Sequence, residues 1–361
     1  MSIRALLMVV SLVLSVIIGL VLARGSGEGG GKSGKNRQIV IGLSLDTLKE
    51  ARWQADRDMF VRRAKELGAD VLVQSANSDD SAQMRDVQTL LTSNVDVLVI
   101  VPHDGTAMAK AVRLAHDANV PVLSYDRLIR DSDPDLYLSF DNLRVGELQG
   151  QFVIDRLGGR GNIIRIYGAK TDNNAVLFKQ GQDKALAPYL QSGQIKVIHE
   201  DWAEDWRPEN AKRIINAAIS AHPGVKIDAV LASNDGTAGG AIQALSEEGL
   251  AGKVLVTGQD AELVALQRIV GGTQAMTVYK PLKNLAPRAA EVAVAMAKGK
   301  PVMANSSVNN GTTDVPSVLS DVVVVTKDNI EQTVIADGFH PREAIFRGAA
   351  NQTPAPVPPS K

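Results

Sequence analysis

The chain has 361 residues, 45% of them hydrophobic and 22% charged, enough apolar material of ordinary globular make-up for two cores. Its 39 basic and 40 acidic residues leave a net charge of -1, so no overall field draws it to nucleic acid or anionic lipid. The lack of cysteine excludes disulfides, thiolate metal sites, a cysteine nucleophile and a lipidated-cysteine anchor together.

In chain order, the first segment is MSIRALLMVVSLVLSVIIGLVLA, with one early cation, Arg4, followed by an uncharged run from Ala5 to Ala23. It is an export signal. Val21 and Ala23 suit a cleavage point, and the length approaches the roughly 20 residues that span a bilayer, so residues 1–23 read as a signal peptide or as a membrane anchor. RGSGEGGGKSGKN, residues 24–36, is a Gly-rich linker, and the Pro-rich end, residues 346–361, reads as a disordered tail.

From Ile39 onward, short apolar runs alternate with amphipathic stretches. IVIGLSL, ADVLVQ, VDVLVIV and VPVLSY carry Val, Ile and Leu on both parities, as strands buried on both faces require. Helix-spaced segments separate them, one of which, ARWQADRDMFVRRAKELG, places Phe60, Ala64 and Leu67 on a single stripe. A second series follows LYLSF, with NIIRIYG, IKVIHE, DAVLAS, KVLVTG and AMTVY as strands, and DVVVVT comes late. The fold class is therefore α/β, with two doubly wound parallel-sheet lobes.

Ligands of open parallel sheets bind beyond the carboxyl ends of the strands, where loops and helix N-termini converge. Here those ends are polar in a particular way: VLSY runs into Asp126 and Arg127, VLAS into Asn234 and Asp235, VLVTG into Gln259 and Asp260, and MTVY into Lys280. Arg52 and Trp53 follow the first strand, Asn173 and Asn174 follow IIRIYG, and DWAEDWRPEN contributes Trp202 and Trp206. An Asn or Asp before a helix is ordinarily a cap worth about 1 kcal/mol, which accounts for Asp141 and Asn142. Caps need neither the cations nor the indoles. Arg127 and Lys280 donate, Asp126 and Asp260 accept, and Asn173 and Asn234 do both, a mixture suited to vicinal hydroxyls, while Trp53 and Trp206 offer flat surfaces to the C–H faces of a sugar ring.

Other chemistries fit less well. GTAGG has no phosphate-loop frame, and adjacent carboxylates would repel an anion. The five histidines are scattered without ligand spacing, and no G-x-S-x-G elbow occurs, so neither a metal nor a cofactor is expected and the chain does not read as an enzyme. Paired carboxylates such as Asp235 and Asp260 fit glycosidase work poorly, because neighbouring cations keep both ionised.

The run ARWQADRD, VLVQSAN, VPVLSYDR, SFDN, DNNA, DWRPEN, IDAVLASNDGTAGGAIQAL, VTGQDAEL and MTVYKPL resembles, in order and spacing, the periplasmic D-xylose-binding proteins of bacterial ABC sugar importers. The likeness extends from about Ile39 to His340. It implies a type I periplasmic-binding fold with three hinge crossings, near residues 145, 283 and 324. The N-terminal lobe would be residues 37–144 plus 284–323, and the C-terminal lobe 145–283 plus 324–345. The implied sugar shell is Arg52, Trp53, Asp126 and Arg127 from the first lobe, with Asn173, Trp206, Asn234, Asp260 and Lys280 from the second; Asp235 would support it from behind. The implied function is that of an extracytoplasmic receptor delivering a pentopyranose, first of all D-xylose, to an ABC permease. A membrane-tethered xylose sensor signalling to a histidine kinase or chemoreceptor is the alternative. Gly236 and the rim segment VPHDG depart from the pattern, at positions outside the implied shell.

Overall fold

The computed structural model describes residues 37–347, so the export segment, the Gly-rich linker and residues 348–361 of the expected tail lie outside it. The first series of elements is β1 (Ile39–Leu45), α1 (Ala51–Glu66), β2 (Ala69–Ser75), α2 (Asp80–Thr92), β3 (Val97–Val101), α3 (Ala109–Asp117), β4 (Val122–Tyr125) and β5 (Leu136–Phe140). The second comprises α4 (Asn142–Leu157), β6 (Gly161–Tyr167), α5 (Asn173–Gln191), β7 (Ile195–Trp202), α6 (Pro208–Ala221), β8 (Ala229–Ala232), α7 (Asp235–Glu247), β9 (Leu255–Val256), α8 (Leu263–Gly271) and β10 (Thr277–Tyr279). The chain closes with α9 (Leu282–Ala297), β11 (Ser306–Asn309), β12 (Asp314–Ser320), β13 (Val323–Val325) and α10 (Arg342–Ile345).

Two main sheets result. The larger has the order β11-β12-β5-β4-β3-β1-β2 and is parallel except for the β11–β12 edge pair. The other, β7-β6-β8-β9, is parallel throughout. Strands β10 and β13 pair antiparallel, and β10 also runs parallel to the segment after β9, the Val278 N–H donating to the Gly258 carbonyl at 3.1 Å and the Asp260 N–H to the Val278 carbonyl at 2.9 Å. The order reverses beside β1 and beside β6, which opens a crevice at each sheet's carboxyl edge.

Burial explains the element pattern. The central strands β3, β4 and β5 are buried along their whole length, which is why their sequences show no alternation. On one face of the large sheet, Phe60 and Ala64 of α1 pack with Leu285, Ala289 and Ala293 of α9, so α9 returns from the far end of the chain to the first lobe. The small sheet has its own core around Ile164, Ile214 and Leu245. The chain passes between the sheets after β5, after β10 and after β12. The first and third passages lie side by side, joined by the Asp141 backbone N–H donating to the Ser320 carbonyl at 3.0 Å.

Helices α4 and α5 cross at two glycines. A Cβ on Gly146 would overlap the Phe178 carbonyl, and one on Gly181 the Leu143 carbonyl. Only a hydrogen at these positions lets the backbones meet.

Candidate functional site

Of the nine residues expected to form a shell, all but Asn173 line one cavity between the two sheets' carboxyl ends, and Glu50, Asp172, Asn174, Phe178 and Gln259 complete it. Asp126, just past β4, adopts a left-handed backbone with φ of 57°. That conformation costs a residue bearing a Cβ about 1–2 kcal/mol. Three donors hold it there: Tyr137 Oη at 3.0 Å, Ser139 Oγ at 2.5 Å and Asn174 Nδ2 at 3.2 Å all donate to its carbonyl. Trp206 (φ 57°) and Asp260 (φ 97°) have positive φ as well, so three cavity side chains are aimed by uncommon backbone geometry.

The charges are interleaved. Arg52 lies 2.6 Å from Asp126, 3.2 Å from Asp260 and 3.7 Å from Asp56, and Lys280 Nζ is 3.4 Å from Asp260. Arg127 pairs with Asp46 at 2.7 Å and with Asp172 at 2.9 Å. Burial alone would push the Asp126 carboxyl up, but Arg52 and then Lys280 outweigh it and hold the pKa at about 2. Asp56, equally buried, is pushed up to about 6, because burial outweighs its more distant Arg52 partner. Burial raises Asp172 too, against the opposing pull of Arg127. The pairs Arg52–Asp260 and Arg127–Asp172 run from one lobe to the other, which ties closure of the cleft to the same groups that line it.

Asn173 requires correction. It opens α5 but lines a different cavity, beside Ser306 and Asn309, while Asn174 turns inward. Successive helical residues diverge by about 100°, and DNNA does not reveal which amide faces the cleft. Contacts do: Asn174 Nδ2 donates to Asp126 Oδ1 at 3.1 Å, and its Oδ1 accepts from Asn142 Nδ2 at 2.9 Å. Asn142, expected to be a cap alone, thus belongs to a buried network, whereas Asp141 caps α4 by accepting from the Arg144 N–H at 2.9 Å.

Asn234 is both cap and lining residue. Its Oδ1 accepts from the Thr237 N–H at 2.9 Å in a reciprocal capping box, and its Nδ2 takes no part in the cap. Asp235 lies behind it, fully buried, accepting from Gln274 Nε2 at 2.8 Å, Thr277 Oγ1 at 3.0 Å and the Glu262 N–H at 2.9 Å. It anchors the loop that presents Gln259 and Asp260. Buried Arg52 Nε, Glu50 Oε2 and Gln259 Oε1 have no protein hydrogen-bond partner, leaving one donor and two acceptors unmatched among the lining residues.

The two expected indoles differ in their surroundings. Trp53 is 4% exposed, with the Arg52 guanidinium 4.0 Å and the Arg127 guanidinium 5.4 Å from its ring centre. Trp206 donates through Nε1 to Asp172 at 3.1 Å and meets Phe178 edge-on at 6.2 Å. Trp202, by contrast, stacks on Tyr167 at 4.9 Å, away from the cavity. A Cβ on Gly168 would overlap the Trp206 ring. Gly168→Ala is accordingly expected to displace this indole, shift its fluorescence maximum and weaken ligand binding at least tenfold; unchanged emission and affinity would show that the ring does not face the ligand.

The cavity lies between the two lobes, so parting them would open it to solute. No cluster of metal-ligating side chains occurs among the described residues. Two α/β lobes with a polar, tryptophan-lined cleft between them define a solute-binding receptor of the type I periplasmic-binding fold.

Comparison with known proteins agrees. Residues 41–301 match the family model described as a periplasmic binding protein domain. The D-xylose-binding periplasmic protein of Escherichia coli is 50% identical over 304 residues, covering 84% of this chain and 92% of that protein. Its counterpart in Haemophilus influenzae is 49% identical over 314 residues, covering 87% and 94%. A carbohydrate transporter solute-binding protein from Chloroflexus aurantiacus, solved in complex with D-glucose, superposes with a TM-score of 0.79 at 33% identity, over 85% of this chain and 98% of that one. The chain belongs to the periplasmic binding protein family.

Proposed function

We propose that the protein is an extracytoplasmic receptor that closes its two lobes over one D-xylopyranose and delivers it to an ABC permease. One observation carries this reading: the Arg52 guanidinium reaches Asp126 in one lobe and Asp260 in the other, inside a cavity that also holds Trp206 and Asn174. Each charge-assisted bond to a hydroxyl contributes about 1.5–3 kcal/mol, and a hydroxyl missing from the ligand leaves a buried group unpaired. Specificity follows from that asymmetry. The proposed shell is Arg52, Trp53, Asp126, Arg127, Asn174, Trp206, Asn234, Asp260 and Lys280, with Gln259 and Asp172 alongside. The two relatives named above as D-xylose-binding support the choice of pentose.

Ligand stabilises the closed state because neither lobe alone completes the ring of bonds. The three passages between the sheets serve as the hinge, and the uncharged run Ala5–Ala23 with its Gly-rich linker directs the domain to the periplasm or holds it at the outer face of the membrane. A retained anchor would also suit a receptor that reports xylose to a membrane sensor.

Titration of tryptophan fluorescence with D-xylose, D-ribose, L-arabinose, D-glucose and D-galactose tests the reading. Saturable quenching or enhancement with D-xylose at the lowest concentration is expected. Saturation by glucose with no response to xylose would overturn it.

A further inference from the structure

A second cavity of ≈ 540 Å³ adjoins the first. Its inner end is shared with the proposed sugar site through Arg52, Trp206, Asn234 and Asp260. Beyond these its wall is mostly apolar, with Ala55 and Met59 of α1, Leu263 and Val264 at the start of α8 and Phe339, although Lys49, Glu50, Glu262 and His340 also line it. Val264 is 56% exposed, among the few large apolar side chains of the described residues left open to solvent. Phe339 is fixed by Tyr279, 5.1 Å away between ring centres, and the adjacent His340 Nε2 lies 3.1 Å from the Ala261 carbonyl. The outer wall is thus an ordered surface drawn from both lobes.

We propose that this chamber accepts the apolar substituent of a glycosidically linked pentose, so that the protein binds alkyl or aryl xylosides as well as the free sugar. The inference rests on the sugar-receptor reading above. Its argument is continuity: a ring held by Arg52, Asn234 and Asp260 has the chamber at its edge, and a substituent leaving the ring on that side passes directly between Met59 and Val264. The apolar side chains Ala55, Met59, Leu263, Val264 and Phe339 in that wall favour a hydrocarbon substituent. Each methylene removed from water there raises affinity about fourfold.

Isothermal titration with D-xylose and with the methyl, butyl and phenyl D-xylopyranosides, both anomers of each, provides the test. One anomeric series is expected to bind, with the butyl compound at least tenfold tighter than the methyl one. Val264→Asp, a change at an exposed position outside the sugar shell, is expected to remove that increment while leaving the affinities for xylose and the methyl xyloside unaltered. Binding of xylose with exclusion of every methyl xyloside would overturn the proposal, as would butyl and methyl compounds of equal affinity. Failure of xylose itself to bind would instead overturn the receptor reading beneath it.

Discussion

Arg52→Met is expected to cost about 3–5 kcal/mol of stability at pH 7.5, the range for removing one partner of a buried ion pair, and to weaken D-xylose binding at least a hundredfold. The reason is the company Arg52 keeps. Asp126, Asp260 and Asp56 all lie within 3.7 Å of its guanidinium; Asp126 and Asp56 are nearly inaccessible to water and the Asp260 side chain is 9% exposed. Without the cation, three carboxylates share a desolvated space with Lys280 alone nearby among the lysines lining the cavity. The loss has a sign in pH. Asp126 is held at about 2, so its stabilising contribution is complete above the ordinary carboxylate range and disappears as pH falls through 2. Asp56, at about 6, behaves oppositely: its contribution is present in acid and is lost as pH rises through 6. Removing Arg52 moves both carboxyls upward, so the stability gap between variant and wild type should narrow when urea unfolding is repeated at pH 4.5. An equal gap at both pH values would mean that Arg52 acts through packing and not through charge.

The second large effect is expected where no ligand is touched. Gly146→Val should cost about 3 kcal/mol or more, because the added branch meets the Phe178 carbonyl, which belongs to a helix backbone and cannot rotate away. The same shift moves α5, and with it Asn174 and Phe178, so xylose affinity should fall in parallel with the melting temperature. Gly150→Ala is the graded comparison. There the new methyl approaches the Ala185 Cβ at 2.9 Å, a tighter-than-normal contact with one side-chain methyl, and a loss smaller than at Gly146 is expected. Equal losses at the two positions would rule out close backbone approach as the cause.

What could be read before folding differed between the two lobes. β1, β3 and β4 were legible because central parallel strands are apolar on both faces, and their helical neighbours carry complete stripes such as Phe60 and Ala64. β11 and β12 were not. They form the edge of the large sheet, where half the residues face water, and SSVN carries only one apolar side chain. The run KVLVTG shortens to two residues paired with β8 in β9, and its continuation toward Gln259 and Asp260 bonds instead to β10.

At the candidate site, residue type was legible and direction was not. Strand ends announced Asp126, Arg127, Asn234, Asp260 and Lys280, because a parallel sheet must end there and helix caps account for neither the cations nor the indoles. Asn173 and Asn174 are chemically identical neighbours, and only the packing of α5 on α4, at Gly146 and Gly181, turns the second into the cleft. Asp172, an aspartate before a helix, reads as an ordinary cap; its pair with Arg127 exists only once the lobes meet, while Trp206 donates to it from its own lobe. Local sequence thus determined the α/β class, the order of most elements and the chemical inventory at the strand ends, since those depend on periodicity and side-chain type. Tertiary structure alone decided which inventory faces which, because ion pairs such as Arg52–Asp260 join residues 208 positions apart, and no local pattern encodes the angle at which two lobes close.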